Sequence, residues 1–191
     1  MTLTAGSVSG LLAAFRSANP TPGGGSASAL AGAIGASLLT MVAGLAKPRT
    51  SSDEELAQLR RAGERCAEIS TRLETLVDAD TDAYNLVVDA YRLPKSTDVE
   101  KTARTDRIQS ALKAATDAPL DVMRQCAAAL AESSAIGRLG NPNAVSDVNV
   151  GIAMLRAALT GARENVETNL GSIKDADYIA RVRAESSRLS S

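Results

Sequence analysis

The chain has 191 residues, a net charge of −1 and no histidine, and 45% of its residues are hydrophobic while 23% are charged. This composition is typical of one folded domain and excludes a disordered chain. A charge near zero without a basic run excludes the footprint of a nucleic-acid-binding protein, so no nucleic acid partner is expected. Because Cys66 and Cys126 stand alone, we expect no metal site and two buried free thiols in a cytoplasmic protein.

Hydrophobic residues recur at helical spacing, and glycine and proline fall between the segments, which predicts an all-α fold. A first helix is predicted over about residues 7–17, followed by a Gly-rich loop over residues 20–25. A second helix is predicted over about residues 26–46. It carries no charge before Lys47 and is hydrophobic on all sides, which indicates a helix surrounded by others. Gly32 and Ala36, four residues apart, would let a neighbouring backbone approach closely.

The uncharged second helix also raises the question of a membrane span. Its composition is dominated by Ala, Gly and Ser, which contribute little to membrane insertion. The N-terminus lacks the basic stretch and compact apolar core of a secretory signal. We therefore expect a buried helix in a soluble protein and no membrane partner.

Five further helical segments complete the prediction. The third helix covers residues 53–92, with a possible interruption near Gly63. Thr97 and Glu100 form a capping-box signature for the fourth, which Pro119 is expected to kink or break before a segment to about Leu139. Two more helices are predicted over about residues 148–170 and 174–189. The expected whole is a single domain over residues 1–191, a bundle of long helices around the buried apolar helix.

Asp80 breaks the apolar pattern of the third helix. A stripe at intervals of three or four residues comprises Leu73, Val77, Asp80, Tyr84, Val87 and Tyr91. By helical geometry, the neighbouring Asp78 and Asp82 fall on the solvated face. A carboxylate on a buried face is costly unless it is paired, and it is a candidate for a raised pKa. Asp80 is therefore either a packing residue bonded to a basic or backbone group, or a catalytic group.

Three further segments carry candidate binding residues, each with a structural alternative. The Gly-rich loop either packs closely or offers free helix N–H groups to an anion or a carbonyl oxygen; its residues are Gly23, Gly24, Gly25 and Ser26. Asp147 is either a helix cap or a polar group on an otherwise apolar stripe. Asn143 beside Pro142 is a turn residue or an amide that hydrogen-bonds a heterocycle. Lys95 after Pro94 is solvated or reaches a pocket mouth.

Four motifs in this order resemble the cyclodeaminase domain of formiminotransferase-cyclodeaminase and the free-standing methenyltetrahydrofolate cyclohydrolases. They are PTPGGGSASALAGAIGASL, LVDADTDAYNLVVDAYRLPK, IQSALKAATDAPL, and GNPNAVSD with the following NVETNL. The resemblance covers nearly the whole chain. It implies an all-helical homodimer or higher oligomer that needs no metal or redox cofactor and acts on one-carbon tetrahydrofolates. One departure is AKPRTSSDEE, residues 46–55, which lacks an aromatic residue that relatives commonly carry there.

The resemblance also implies site residues. By matching positions, the family's acidic residue falls on Asp78 or Asp80, and the helical stripe favours Asp80. The remaining pocket candidates are Gly23, Gly24, Gly25, Ser26, Tyr84, Lys95, Asn143 and Asp147. Of these, Lys95 would hold the glutamate carboxylates of folate, and the glycine-loop amides or Asn143 would bind the pterin edge.

The expected reaction is hydrolysis of 5,10-methenyltetrahydrofolate to 10-formyltetrahydrofolate. The substrate is an amidinium-like cation, so Asp80 could stabilise it, activate water and return a proton. The alternative is a formiminotetrahydrofolate cyclodeaminase that releases ammonia; the absence of a fused transferase domain favours the hydrolase. A second alternative is a non-catalytic folate-binding or helical interaction protein, which the altered residues 47–55 favour and the retained Asp80 and glycine loop oppose.

Overall fold

The computed structural model describes residues 2–190, and over these residues the regular elements are all helical. The elements in chain order are α1 (Val8–Phe15), α2 (Gly24–Gly44), α3 (Asp53–Arg92), α4 (Asp98–Leu139), a 3₁₀ turn (Pro142–Ala144), α5 (Val145–Leu170) and α6 (Ala176–Leu189). One continuous hydrophobic core joins α2, α3, α4 and α5. The all-α, single-domain prediction is confirmed.

The helix starts follow from side-chain caps. Ser7 accepts a hydrogen bond from the backbone N–H of Gly10 at 3.1 Å and begins α1. Thr97 accepts from Glu100 N at 3.2 Å while the Glu100 carboxylate accepts from Thr97 N at 2.9 Å, which is the predicted capping box. Asp175 accepts from Tyr178 N at 3.0 Å and begins α6. Each cap satisfies an N–H group that has no partner within its own helix.

Helix α2 lies at the centre of the bundle and packs against α3, α4 and α5. The close backbone approach predicted at Gly32 and Ala36 occurs at Gly35 instead. A Cβ atom on Gly35 would lie 2.7 Å from the carbonyl oxygen of Gly151 in α5. The Cβ position of Gly32 faces the Cys126 sulfur at 2.9 Å. Backbone contact between α2 and α5 therefore depends on one glycine from each helix.

The prediction that other helices surround α2 on all sides is wrong for a single chain. Ile34 and Met41 are 42% and 43% exposed, and Leu45, just after the helix, is 38% exposed. By length and a mean hydropathy of 1.6, α2 is the one helix in residues 2–190 that could cross a membrane. Its three packed neighbours and its buried Ser26 and Ser28 are features of a core helix.

Two long helices continue through residues where the sequence predicted an interruption. Gly63 lies inside the 40-residue α3, where a Cβ atom would lie 2.7 Å from the Cβ of Ala43. Pro119 lies buried inside the 42-residue α4 without ending it. Proline removes the donor to the carbonyl four residues earlier, which is that of Ala115. The side-chain amide of Asn169 donates to this carbonyl at 2.7 Å and replaces the missing bond.

The two cysteines are buried and form no disulfide, as predicted. Burial raises the pKa of both Cys66 and Cys126 to about 12. Because the thiolate is the reactive form of cysteine, both sulfurs are inert near neutral pH. They contribute to packing and not to a reaction site.

Candidate functional site

A cleft of about 310 Å³ lies where the N-terminal end of α2 meets α3, α4 and α5. Its polar side chains are Thr21, Asp80, Tyr84, Asn165 and Asn169. The rest of the lining is formed by Pro20, Gly23, Gly24, Gly25, Val87, Leu112 and Ala115. No lysine or arginine from the described residues lines the cleft, so Asp80 is the only formal charge in its wall.

Asp80 is held at the N-terminal end of α2 by Ser26. The Oδ2 atom of Asp80 accepts from the Ser26 backbone N–H at 2.9 Å and from the Ser26 hydroxyl at 3.1 Å. Ser26 is fully buried. Free N–H groups and the helix dipole favour a negative charge at this position. The anion that occupies the predicted site at the glycine loop is therefore the carboxylate of Asp80 itself.

The glycines of this loop provide space for the carboxylate. Gly24 and Gly25 form the first turn of α2 and not a loop before it. A Cβ atom on Gly25 would lie 2.7 Å from Asp80 Oδ2 and closer still to Oδ1. No glycine among the described residues has a positive φ. The sequence therefore needs glycine here for close approach, and not for a left-handed backbone.

The protonation of Asp80 depends on two opposing effects. Burial raises the pKa of the Asp80 carboxyl, and the two hydrogen bonds from Ser26 lower it, with a net upward shift. A carboxyl with a raised pKa exchanges a proton more readily near neutral pH than an ordinary aspartate does. The geometry therefore fits a group that takes a proton and gives it back.

Two asparagines of the cleft, Asn165 and Asn169, were not singled out from the sequence. Both lie in the NVETNL motif, four residues apart and so on one face of α5. The side-chain nitrogen of Asn165 donates to Gly161 O at 2.8 Å, and that of Asn169 donates to Ala115 O at 2.7 Å. The signal that could have found them is this spacing of two amides between buried apolar residues.

Of the two candidate carboxylates, the structure places only Asp80 in the cleft. Asp78 is half-buried rather than solvated as predicted, and its Oδ1 atom accepts from the backbone N–H of Leu3 at 2.7 Å. That contact attaches the N-terminal segment to α3. Tyr84, one turn beyond Asp80, lines the cleft together with Gly23.

Four other predicted pocket residues do not line the cleft within one chain. One of them, Ser26, is fully buried and binds Asp80 instead. Asn143 lies in the 3₁₀ turn, where Asn141 donates through its side-chain nitrogen to Ala46 O at 2.7 Å, beyond the C-terminal end of α2. The 21 residues of α2 span roughly 30 Å at 1.5 Å per residue, so Asn143 and Asp147 lie far from Asp80. Lys95 is exposed in the connection between α3 and α4.

The altered segment of residues 46–55 also lies at this far end. Arg49 N donates to Leu139 O at 3.0 Å, and Arg138 forms an ion pair with Glu55 at 2.8 Å. The segment therefore does not cover the cleft of its own chain. In residues 2–190, no group of three or more Cys, Asp or Glu side chains is arranged to hold a metal ion; the absence of a cofactor stays a prediction.

Known proteins share sequence similarity with this chain. The family described as Formiminotransferase-cyclodeaminase matches residues 7–188. The chain is 38% identical over 159 residues to a methenyltetrahydrofolate cyclohydrolase from Methylorubrum extorquens, covering 83% of this chain and 76% of that protein. It is 32% identical to the formimidoyltransferase-cyclodeaminase of Rattus norvegicus over 88% of this chain but only 31% of that protein.

A solved structure shows the same fold. The crystal structure of formiminotetrahydrofolate cyclodeaminase from Thermotoga maritima superposes with a TM-score of 0.86 and 26% identity. The match covers 98% of this chain and 89% of that one. Because the family match extends over nearly the whole sequence and the fold agrees, the chain belongs to the formiminotransferase-cyclodeaminase family.

Proposed function

We propose that this chain hydrolyses 5,10-methenyltetrahydrofolate to 10-formyltetrahydrofolate. The observation that carries the proposal is Asp80, a partly buried carboxylate with a raised pKa in a cleft to which residues 2–190 contribute no basic side chain. Such a cleft favours a cationic ligand, and the methenyl substrate is an amidinium-like cation. The 38% identity to a methenyltetrahydrofolate cyclohydrolase supports the same reaction.

In this mechanism Asp80 moves one proton. Its carboxylate stabilises the cation and takes a proton from a water molecule as the water oxygen bonds to the bridging carbon. The C–N5 bond then breaks as Asp80 returns the proton to N5. The hydroxyl group of the intermediate loses its proton to solvent as the C=O bond forms, so the formyl group stays on N10 and one proton is released overall. Ser26 holds Oδ2 through two hydrogen bonds, so the carboxylate stays in place through both steps.

The first turn of α2 can assist at the oxygen that develops on the carbon. Gly24 and Gly25 are the first two residues of the helix, so their N–H groups have no intrahelical partner. Their position beside Asp80 brings donors to the same point as the base. This supports stabilisation of the tetrahedral intermediate by backbone hydrogen bonds.

Cyclodeamination is the second candidate, favoured by the TM-score of 0.86 with the Thermotoga maritima cyclodeaminase. It uses the same carbon: N10 attacks the carbon of the formimino group carried on N5, and the imino nitrogen leaves as ammonia. The same carboxylate can transfer the proton in both reactions. A non-catalytic folate-binding protein would have no need for a partly buried carboxylate with a raised pKa, so this function is our third candidate.

The experiment is the loss of methenyltetrahydrofolate absorbance, measured at a pH where the spontaneous reaction is slow. The wild-type protein should accelerate the decay, and Asp80→Asn should reduce kcat about 10²–10⁴-fold. Decay no faster than buffer would contradict the hydrolase and call for an ammonia-release assay with formiminotetrahydrofolate. Equal activity of a folded Asp80→Asn variant would return Asp80 to a structural role.

We also propose that the protein is a homodimer. The apolar face of α2 that includes Ile34 and Met41 is exposed in one chain, and α1 has no buried residue. A second copy of this chain would complete the burial. If the two α2 helices pair antiparallel, the Asn143 end of one chain approaches the cleft of the other. Light scattering should report a dimer that Ile34→Glu weakens; a concentration-independent wild-type monomer would contradict the proposal.

The proposal also covers the cellular location of the enzyme, its cofactors and its partners. We propose that the enzyme works in the cytoplasm, without a cofactor beyond the tetrahydrofolate substrate, and with no nucleic acid or membrane partner. Two free buried thiols and a net charge of −1 support this. Lys95, exposed beyond the end of α3, remains our candidate for the glutamate carboxylates of the substrate. Activity of protein dialysed against a chelator tests the cofactor statement.

A further inference from the structure

We propose that Asn165 and Asn169 form a pair of hydrogen-bond acceptors that recognises the N–H edge of the pterin ring, and that Pro119 is the positioning residue that holds Asn169 in this role. The inference rests on the proposed function, because it assigns the ring of that substrate to one wall of the cleft. It is carried by the hydrogen bonds of the two amides and by the composition of the cleft.

The orientation of both amides follows from their partners. A backbone carbonyl can only accept a hydrogen bond, so the side-chain nitrogen of each asparagine must face it. Asn165 faces Gly161 O in this way, and Asn169 faces Ala115 O. The two Oδ1 atoms have no hydrogen-bond partner among residues 2–190. Both amides line the cleft and so present free acceptors to a ligand.

Pro119 explains why a carbonyl is available to Asn169. In a regular helix the N–H of residue 119 would donate to Ala115 O, but proline has no N–H. The freed carbonyl lies in the cleft wall and is taken by Asn169 at 2.7 Å. The proline therefore creates the anchor that fixes the Asn169 side chain. An amide fixed before the ligand arrives loses less rotamer entropy on binding.

The ligand that fits is rich in donors. Among the described residues, the cleft offers two amide oxygens and a carboxylate but no lysine or arginine. A reduced pterin presents its 2-amino group, N3–H and N8–H along connected edges. The Cβ position of Gly24 lies 3.3 Å from the Asn165 nitrogen, and that of Gly25 meets Asp80. The two asparagines therefore lie beside Asp80. We place the pterin ring of the substrate against α5 and its bridging carbon at Asp80.

Kinetics of alanine variants test the acceptor pair. Asn165→Ala and Asn169→Ala should each raise KM on the order of 10-fold, because a ligand donor loses its partner, while kcat falls less. Asn85→Ala is the matched control, since Asn85 is exposed on α3 and lies outside the cleft lining. KM values equal to that of the control would overturn the acceptor role.

Binding of tetrahydrofolate, measured by calorimetry, gives a readout independent of turnover. Both cleft variants should bind it more weakly than Asn85→Ala does. For an analogue with a methyl group in place of the 2-amino group, at least one variant should lose less affinity than it loses for tetrahydrofolate. Equal losses for both ligands in both variants would overturn the assignment of the pterin edge.

Pro119→Ala tests the positioning role. The new N–H can donate to Ala115 O and compete with Asn169, so KM should rise several-fold while thermal stability is unchanged or higher. An unchanged KM in this folded variant would overturn the role of Pro119. If wild-type protein neither binds tetrahydrofolate nor acts on either folate, the proposed function fails together with this inference. If it binds and reacts but the variants match Asn85→Ala, only the inference fails.

Discussion

The two ends of α2 each contain glycine but have different surroundings. At the N-terminal end, Gly25 lies against the carboxylate of Asp80, and Ser26 binds it. At the C-terminal end, a Cβ atom on Gly44 would meet nothing within 4 Å, and Asn141 caps the chain by donating to Ala46 O. Both ends combine a glycine with a polar partner from another element. The difference teaches that a glycine-rich helix end is a reaction site only when another helix places an ionisable group against it.

The largest effect is expected from Gly25→Ala. The new methyl group would overlap the Asp80 carboxylate, which must rotate or shift. A displacement on the order of 1 Å at a catalytic group can cost about 10²-fold in rate. We therefore expect kcat in the methenyltetrahydrofolate assay to fall about 10²-fold while circular dichroism shows the helical fold retained.

Gly44→Ala is the matched control on the same helix. Its methyl group enters open space, so activity should be unchanged and stability equal or higher by up to about 1 kcal/mol, the difference in helix propensity. Similar losses of kcat in both variants would mean that α2 as a whole, and not the Asp80 contact, controls activity. That result would remove the distinction between the two ends.

A smaller effect, on stability, is expected from Asn141→Ala at the other end. The variant loses the bond to Ala46 O and the bond in which the Asn141 side-chain oxygen accepts from Asn143 N at 2.8 Å. Loss of such a cap costs about 1–2 kcal/mol. Urea unfolding should show this decrease with the m-value unchanged. A large loss of kcat would show that this end takes part in the reaction.

Much of the fold could be predicted because its signals are local. The bounds of α3 and the capping box before α4 follow from periodicity and side-chain chemistry within a few residues. The passage of α4 through Pro119 could not be predicted in this way. It depends on an amide from Asn169, which the chain brings to that point only after α5 has folded against α4.

The candidate site, like the fold, could be predicted only where the signal is local. The sequence predicts Asp80 as a site residue because it is the one charged residue on an apolar stripe of α3. The structure places it in the cleft. Asn143 and Asp147 were grouped with it by sequence resemblance, but the length of α2 separates them within one chain. Spacing along one helix therefore carried information about the site, whereas the proximity of distant motifs depends on tertiary packing and on the proposed dimer.

The smallest expected effect is a change in how the free energy of unfolding depends on pH. We expect this change at the Asp80 end of α2 and not at the Asn141 end. Burial raises the pKa of Asp80 in the folded protein. The protonated carboxyl therefore makes its full contribution to the free energy of unfolding at pH values below the pKa of an ordinary aspartate. That contribution is lost as pH rises through the folded pKa. Asp80→Asn removes this loss, so the variant should gain stability relative to the wild type between acid and neutral pH in urea titrations. Asn141→Ala changes no titrating group and should lower stability by a similar amount at each pH. Parallel profiles for Asp80→Asn and the wild type would show that the Ser26 bonds fully offset burial, and a carboxyl with an ordinary pKa would then be a weaker proton carrier in the reaction.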